Sequence, residues 1–254
     1  MIPAAREAFA AATPAGSPRY FAWLYASVAQ RPLLELLLAL EQELCASVRA
    51  GIDHSVAHAR LSWWATEAEQ LLAGTARHPL TQALQLACRQ QILPTLDLRA
   101  LIATLQWDLA AAPLPSSAER QYHAAAWSGG LFEPLVQSLV ASEDCATQAA
   151  DLEHFARNAG MALGLVRIFQ RMPVDHATSL RTEIAAAAQA AVAELPRTRQ
   201  PALRPVLVWL GCSYDAAARD EHTSARRWSL LRVNLRAWRH AVRANTRAFR
   251  LTEP

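Results

Sequence analysis

Two aspartates stand where a carboxylate invites explanation. Asp108 lies in LIATLQWDLA, an apolar stretch of helical period, and Asp175 follows Pro173 in RMPVDHA. A carboxylate in such a stretch can serve in catalysis as a general acid or base. Judged on the residues alone, a lone Asp in such a place is more often a helix N-cap or a salt-bridge partner than a catalyst. A second arrangement is His54-Ser-Val-Ala-His58 behind Asp53. On a helix, imidazoles four residues apart share a face and can chelate a metal with Asp53 as third ligand. The segment follows Gly51, however, and reads more simply as a loop or a helix start.

Other chemistries are excluded by residue type. All 25 basic residues are Arg, so a Schiff-base lysine or a phosphate-loop lysine is ruled out. There is no G-x-S-x-G, G-x-G-x-x-G or H-E-x-x-H, and Ser128 in AWSGG lacks the elbow pattern. Cys45, Cys88, Cys145 and Cys212 are far apart and form no C-x-x-C, which points to a reducing compartment and thiols packed as small core residues. No sustained apolar leader is present near the start, and PLLELLLAL is broken by Glu35 and too short to span a bilayer. A cytoplasmic protein is expected, with peripheral contact to a membrane allowed.

The elements that must position these residues are helices. With 52% hydrophobic residues, 19% charged and only 8 Gly, the chain can bury a sizeable core and is neither turn-rich β nor disordered. Its apolar residues recur at a period near 3.6, with almost no β-branched alternation, so the fold class is all-α, with about eight to ten helices. Leu33, Leu37, Leu40 and Leu44 make one stripe; Arg60, Trp63, Trp64 and Glu67 share another face. Pro115-Ser116-Ser117 reads as cap chemistry. Residues 1–18 read as a mobile Ala/Pro tail and residues 19–254 as one helical domain, without a repeat or an internal boundary.

The charge is uneven. Ala225 to Pro254 holds eight Arg and one Glu, a balance of +7, against −4 for the remainder. Over residues 225–250, Arg232, Arg236, Arg239, Arg243, Arg247 and Arg250 recur at helical spacing beside Trp228, Leu231, Leu235, Trp238 and Val242. A basic amphipathic helix can lie on an anionic membrane, or it can dock on the acidic body with its Arg face solvated. No nucleic-acid motif accompanies it, so nucleic acid is not an expected partner.

Four segments carry a resemblance. HARLSWWATEAEQLLAGTARHPLTQAL resembles the "ARLRWWREEL…G…HPV" segment of the squalene/phytoene synthase family, through Ala59, Arg60, Leu61, Trp63, Trp64, Gly74, His78 and Pro79. LIATLQWDL resembles the family's "LIDG…DL" helix, keeping Asp108-Leu109 but with Ala103-Thr104 for Asp-Gly. YHAAAWSGGLF, from Tyr122 to Phe132, resembles its "Y…VAG…G" helix, and NAGMALGLVRIFQRMPVD its "LG.ALQLTNILRD…ED" helix. The motifs occur in consistent order over roughly residues 19–180. The resemblance implies a single-domain helical bundle of the isoprenoid synthase type with a central apolar cavity. Active members join or convert prenyl diphosphates, which facing Asp-rich motifs hold through Mg2+.

Where those motifs should fall, this sequence departs. ALEQELCASVRAG offers only Glu41 and Glu43, which point apart on a helix, with Cys45, Ala46 and Arg49 at the expected aspartates. In the second motif Arg171 replaces the first Asp, Val174 the Glu and Arg167 the Asn; only Asp175 remains. The same departures resemble a divergent branch that includes bacterial proteins of unassigned activity and mitochondrial complex I assembly factors. This implies a catalytically degenerate bundle that binds an isoprenoid, another lipid or a protein partner, with no cofactor or metal expected. The alternative is an active Mg2+-dependent prenyltransferase. There, the resemblance makes Asp108 and Asp175 the candidate catalytic and metal-binding residues. In that reading Arg60, Arg167 and Arg171 would take diphosphate oxygens and Trp63 and Trp64 would line the chain pocket, with Tyr122 part of the retained framework.

Overall fold

The computed structural model describes residues 3–111, 113–140, 149–171, 177–193, 195, 197–218, 226–246 and 249–251. Among them every regular element is helical. In order these are α1 (Pro3–Ala12), α2 (Pro18–Leu24), α3 (Arg31–Ala46), α4 (His54–Leu72), α5 (Pro79–Arg89), α6 (Arg99–Leu109) and α7 (Ser117–Trp127). Then follow α8 (Glu133–Val140), α9 (Ala149–Phe169), α10 (Ala177–Ala193), α11 (Arg204–Ala218) and α12 (Arg226–Thr246). Twelve α-helices occur among the described residues, against the eight to ten expected.

Helix starts follow local chemistry. The side chain of Ser17 accepts from Tyr20 N–H at 3.1 Å, with Pro18 opening α2. Ser116 and Glu119 form a reciprocal capping box at α7, as the Pro-Ser-Ser segment suggests. Between α7 and α8, residues Ser128–Phe132 form a π-helical turn in which Glu133 N–H reaches back to Ser128 O. Ser128 is fully buried and donates to Glu133 Oε1 at 3.0 Å, so the Ser-Gly-Gly segment is packing, not a nucleophile elbow.

Helix α9 is central, packing against α7, α8, α10 and α11. Its approach to α7 is set by missing side chains. A Cβ on Gly164 would lie 2.8 Å from Ala124 Cα, and one on Gly160 would lie 1.8 Å from Ser128 Oγ. The leucine stripe of α3 is buried throughout, and Trp127, Phe132 and Trp209 form a ring cluster at the centre of the core.

The expected mobile tail is corrected for residues 3–12. Helix α1 packs on α3 and buries Ala5, Ala8 and Ala12 in the core. Those alanines recur at i, i+3 and i+7, an apolar stripe made of side chains too small to stand out in an Ala-rich sequence. No helix of the described residues is long and apolar enough to cross a membrane.

Candidate functional site

Asp108 is drawn into a cluster of cations. It sits in the last turn of α6; Arg167 lies in the last turn of α9, and Arg171 follows one helical turn later. Arg167 Nη2 donates to Asp108 Oδ2 at 2.5 Å, and Arg171 donates to the same oxygen. His123 of α7 places Nε2 3.4 Å from Asp108 Oδ1 and 3.3 Å from Thr104 O. The Asp108 side chain is 15% exposed. Burial pushes its carboxyl up, but the His123 hydrogen bond and the charges of Arg167 and Arg171 outweigh burial and hold it well below the usual carboxylate range. Arg167 is buried, and burial alone would weaken its charge; Asp108, with Cys45 and Glu41, more than restores it.

A cavity of about 370 Å3 opens beside this cluster. Glu41 of α3 lines it and is 1% exposed. Its Oε1 accepts from Arg19 at 2.8 Å and from Trp127 Nε1 at 2.9 Å, while Oε2 is buried with no hydrogen-bond partner. Arg19 also lies over the Trp209 ring, 5.5 Å from its centroid. A second hollow of about 430 Å3 shares Gln42, Cys45 and Arg171 with the first and adds Asp108 and Arg49. The cavity is therefore not wholly apolar: four arginines and two carboxylates line the joined hollows. Cys45 stands between them. Burial and then Glu41 push its thiol up, and Arg167, Arg19 and Arg171 offset this only in part.

Other sequence candidates lie elsewhere. Helix α7 buries Arg120, His123, Ala124 and Trp127 at i, i+3, i+4 and i+7, which leaves Tyr122 off the stripe and 75% exposed. Helix α4 buries Ala57, Leu61, Trp64, Ala68 and Leu71, so Trp64 points inward while Arg60 and Trp63 are exposed. None of these four residues lines the joined hollows. Trp64 instead packs on His78, ring centroids 4.9 Å apart. Buried Glu67 accepts from Arg77 N at 2.7 Å, from His78 N at 2.8 Å and from the Thr81 hydroxyl. Burial would raise the Glu67 pKa, but these bonds lower it. Gly74 takes φ +76°, the left-handed turn after α4 that favours glycine. The Trp64, Glu67, Gly74, His78 and Pro79 constellation thus ties α4 to α5.

Asp175 and Cys145 lie outside the described residues. Asp53 is the N-cap of α4, its Oδ1 accepting from Ser55 N at 2.9 Å and Val56 N at 3.4 Å. His54 and His58 stack edge to face at 4.7 Å. Among the described residues no group of three His, Cys, Asp or Glu is placed to hold a metal. Sequence reasoning missed Arg19, His123, Trp127 and Trp209. His123 and Trp127 were discoverable on the buried stripe of α7; nothing local marks Arg19, which reaches Glu41 from the neighbouring helix α2.

The described donors do not fit a Mg2+ cluster. That cation takes six oxygens in near-ideal octahedral geometry. The two carboxylates of the joined hollows are each engaged by arginine, and further positive charge would be placed beside Arg19, Arg167 and Arg171.

The described residues form an all-α bundle with a charged cluster between α3, α6 and α9, consistent with the isoprenoid synthase architecture. The squalene/phytoene synthase family profile matches residues 12–207, and the chain belongs to that family. Comparison with curated proteins and with solved structures gives no significant match.

Proposed function

We propose that this chain is a catalytically degenerate member of the squalene/phytoene synthase family that binds an anion-headed isoprenoid or other lipid directly through arginine, without a divalent cation. The observation that carries the reading is the engagement of Asp108 by both Arg167 and Arg171. A carboxylate held that way is a poor metal ligand, because Mg2+ must displace two cations already paired with it. The same arginines suit an anion, since guanidinium presents paired donors to phosphate or carboxylate oxygens. Arg49, exposed at the mouth of the second hollow, adds a further donor. The cavity volumes fall in the range of small-molecule sites, and the Trp127 and Trp209 rings offer an apolar wall.

The test uses the full chain and farnesyl diphosphate as probe, titrated with EDTA or with Mg2+. The expected result is similar affinity in both, no pyrophosphate release, and about tenfold weaker binding in Arg49→Gln, the loss of one charge-assisted contact. Mg2+-dependent pyrophosphate release abolished by Asp108→Asn would establish the active prenyltransferase instead. Absence of binding under both conditions would remove the lipid reading.

A further inference from the structure

We propose that the outer face of α12 seats this protein on an anionic lipid surface. The helix meets the body through small residues. Ala237, His240, Ala241 and Ala244 are buried at i, i+3, i+4 and i+7, with His240 against Gly211 and bonded to Asp215 Oδ2 at 3.1 Å. Ala237 and Ala241 close a small cluster with Phe21, Val208 and Cys212. Of the larger apolar residues whose side chains are described, Val233 packs on that cluster, but Leu235 is 46% exposed and Trp238 53%, with Val242 next on the same outward row. A helix whose apolar row served only to dock on the body would bury that row; here the alanine face docks and the row faces outward.

A second row runs alongside it. Arg232, Arg236, Arg239 and Arg243 recur at i, i+4, i+7 and i+11, and Arg232 and Arg239 are exposed. No acid occurs anywhere on α12. Parallel apolar and cationic rows on one outward side match the two layers of a phospholipid surface, where acyl chains take Leu and Trp while anionic headgroups take Arg. Charge complementarity therefore selects anionic lipid. The helix lies beyond the residues that match the family profile, and the inference stands apart from what the cavity binds.

The experiment is flotation of the full chain with vesicles of phosphatidylcholine alone and of phosphatidylcholine with phosphatidylserine, at low and high salt. Binding to the anionic vesicles only, weakened by salt, is expected. Arg232→Gln with Arg239→Gln should lower that binding by roughly 25-fold, about fivefold for each charge removed near the surface. Leu235→Ser with Trp238→Ser should lower it at least about tenfold. Helix content and Tm should hold in both, since the altered side chains are exposed. Equal binding to both vesicle types, or binding to neither, overturns the proposal. So does a concentration-dependent dimer that Leu235→Ser with Trp238→Ser abolishes, for then the face belongs to a second copy of the chain.

Discussion

Arg167 Nη2 lies 2.5 Å from Asp108 Oδ2, a bond that ties the end of α6 to the end of α9. Both side chains are largely buried, so neither charge is stable there without the other. The aspartate that the resemblance offers as a metal ligand is engaged in this structure by Arg167 and Arg171.

Removing it should therefore cost stability. Asp108→Asn leaves Arg167 buried and poorly compensated, and is expected to lower the unfolding free energy by about 3 kcal/mol. Asp108→Leu with Arg167→Met, which removes both charges and keeps volume, should recover most of that loss. Urea denaturation monitored by circular dichroism measures both. A loss below about 1 kcal/mol in the single variant would show that the pair is not structural.

Acid should unfold the protein through the same group and Glu67. Both carboxyls have folded pKa values below their ordinary ones: burial raises each, but for Asp108 the His123 bond and the two arginines prevail, and for Glu67 the Thr81 and backbone bonds. Their stabilisation is complete above the ordinary carboxylate range, about pH 4, and is lost as pH falls through the depressed folded values. Stability measured from pH 7 downward should hold to about pH 4 and then drop, with a shallower drop in Asp108→Asn. An acid limb of equal slope in that variant would assign the transition to other carboxylates.

The crossing of α7 and α9 tolerates no side chain at Gly164. A Cβ there would lie 2.8 to 2.9 Å from backbone atoms of Ala124, which cannot swing aside. Gly164→Ala should destabilise by about 1–3 kcal/mol despite the better helix propensity of alanine. A neutral or stabilising Gly164→Ala would mean that the helices stand further apart. Calorimetry on the purified variant decides it.

Cys212 should be inert in the native protein. It is buried between α11 and α12, where desolvation, with a smaller push from Asp215, raises its thiol to about 12. Alkylation at pH 8 followed by mass spectrometry should leave Cys212 unmodified until denaturant is added, because the thiolate is the reacting form. Modification of folded protein within minutes would show that α12 opens readily from α11.

Much of the fold was legible along the chain. The 3.6-residue period, the leucine stripe of α3 and the Ser116 cap act within one or two helical turns, and the structure has them where the sequence reading put them. Helix α1 was missed because an alanine stripe has little amphipathic contrast. In α12 the long apolar row was legible, but whether it docks or faces solvent was not, because a bare alanine face competes with it for the body. Arg60, Trp63 and Tyr122 were drawn to attention by motif position, yet each falls off the stripe its helix buries.

The sequence by itself determined the helical class and the family, and it carries Arg167 and Arg171 where the family pattern, by resemblance, has Asn and Asp, since these follow from residue type and local spacing. Only the tertiary structure decided that both arginines close on Asp108 and that Arg19 and Trp127 converge on Glu41. These contacts join residues from 22 to 86 positions apart, and such pairings are fixed by how whole helices pack and not by any local preference of the chain.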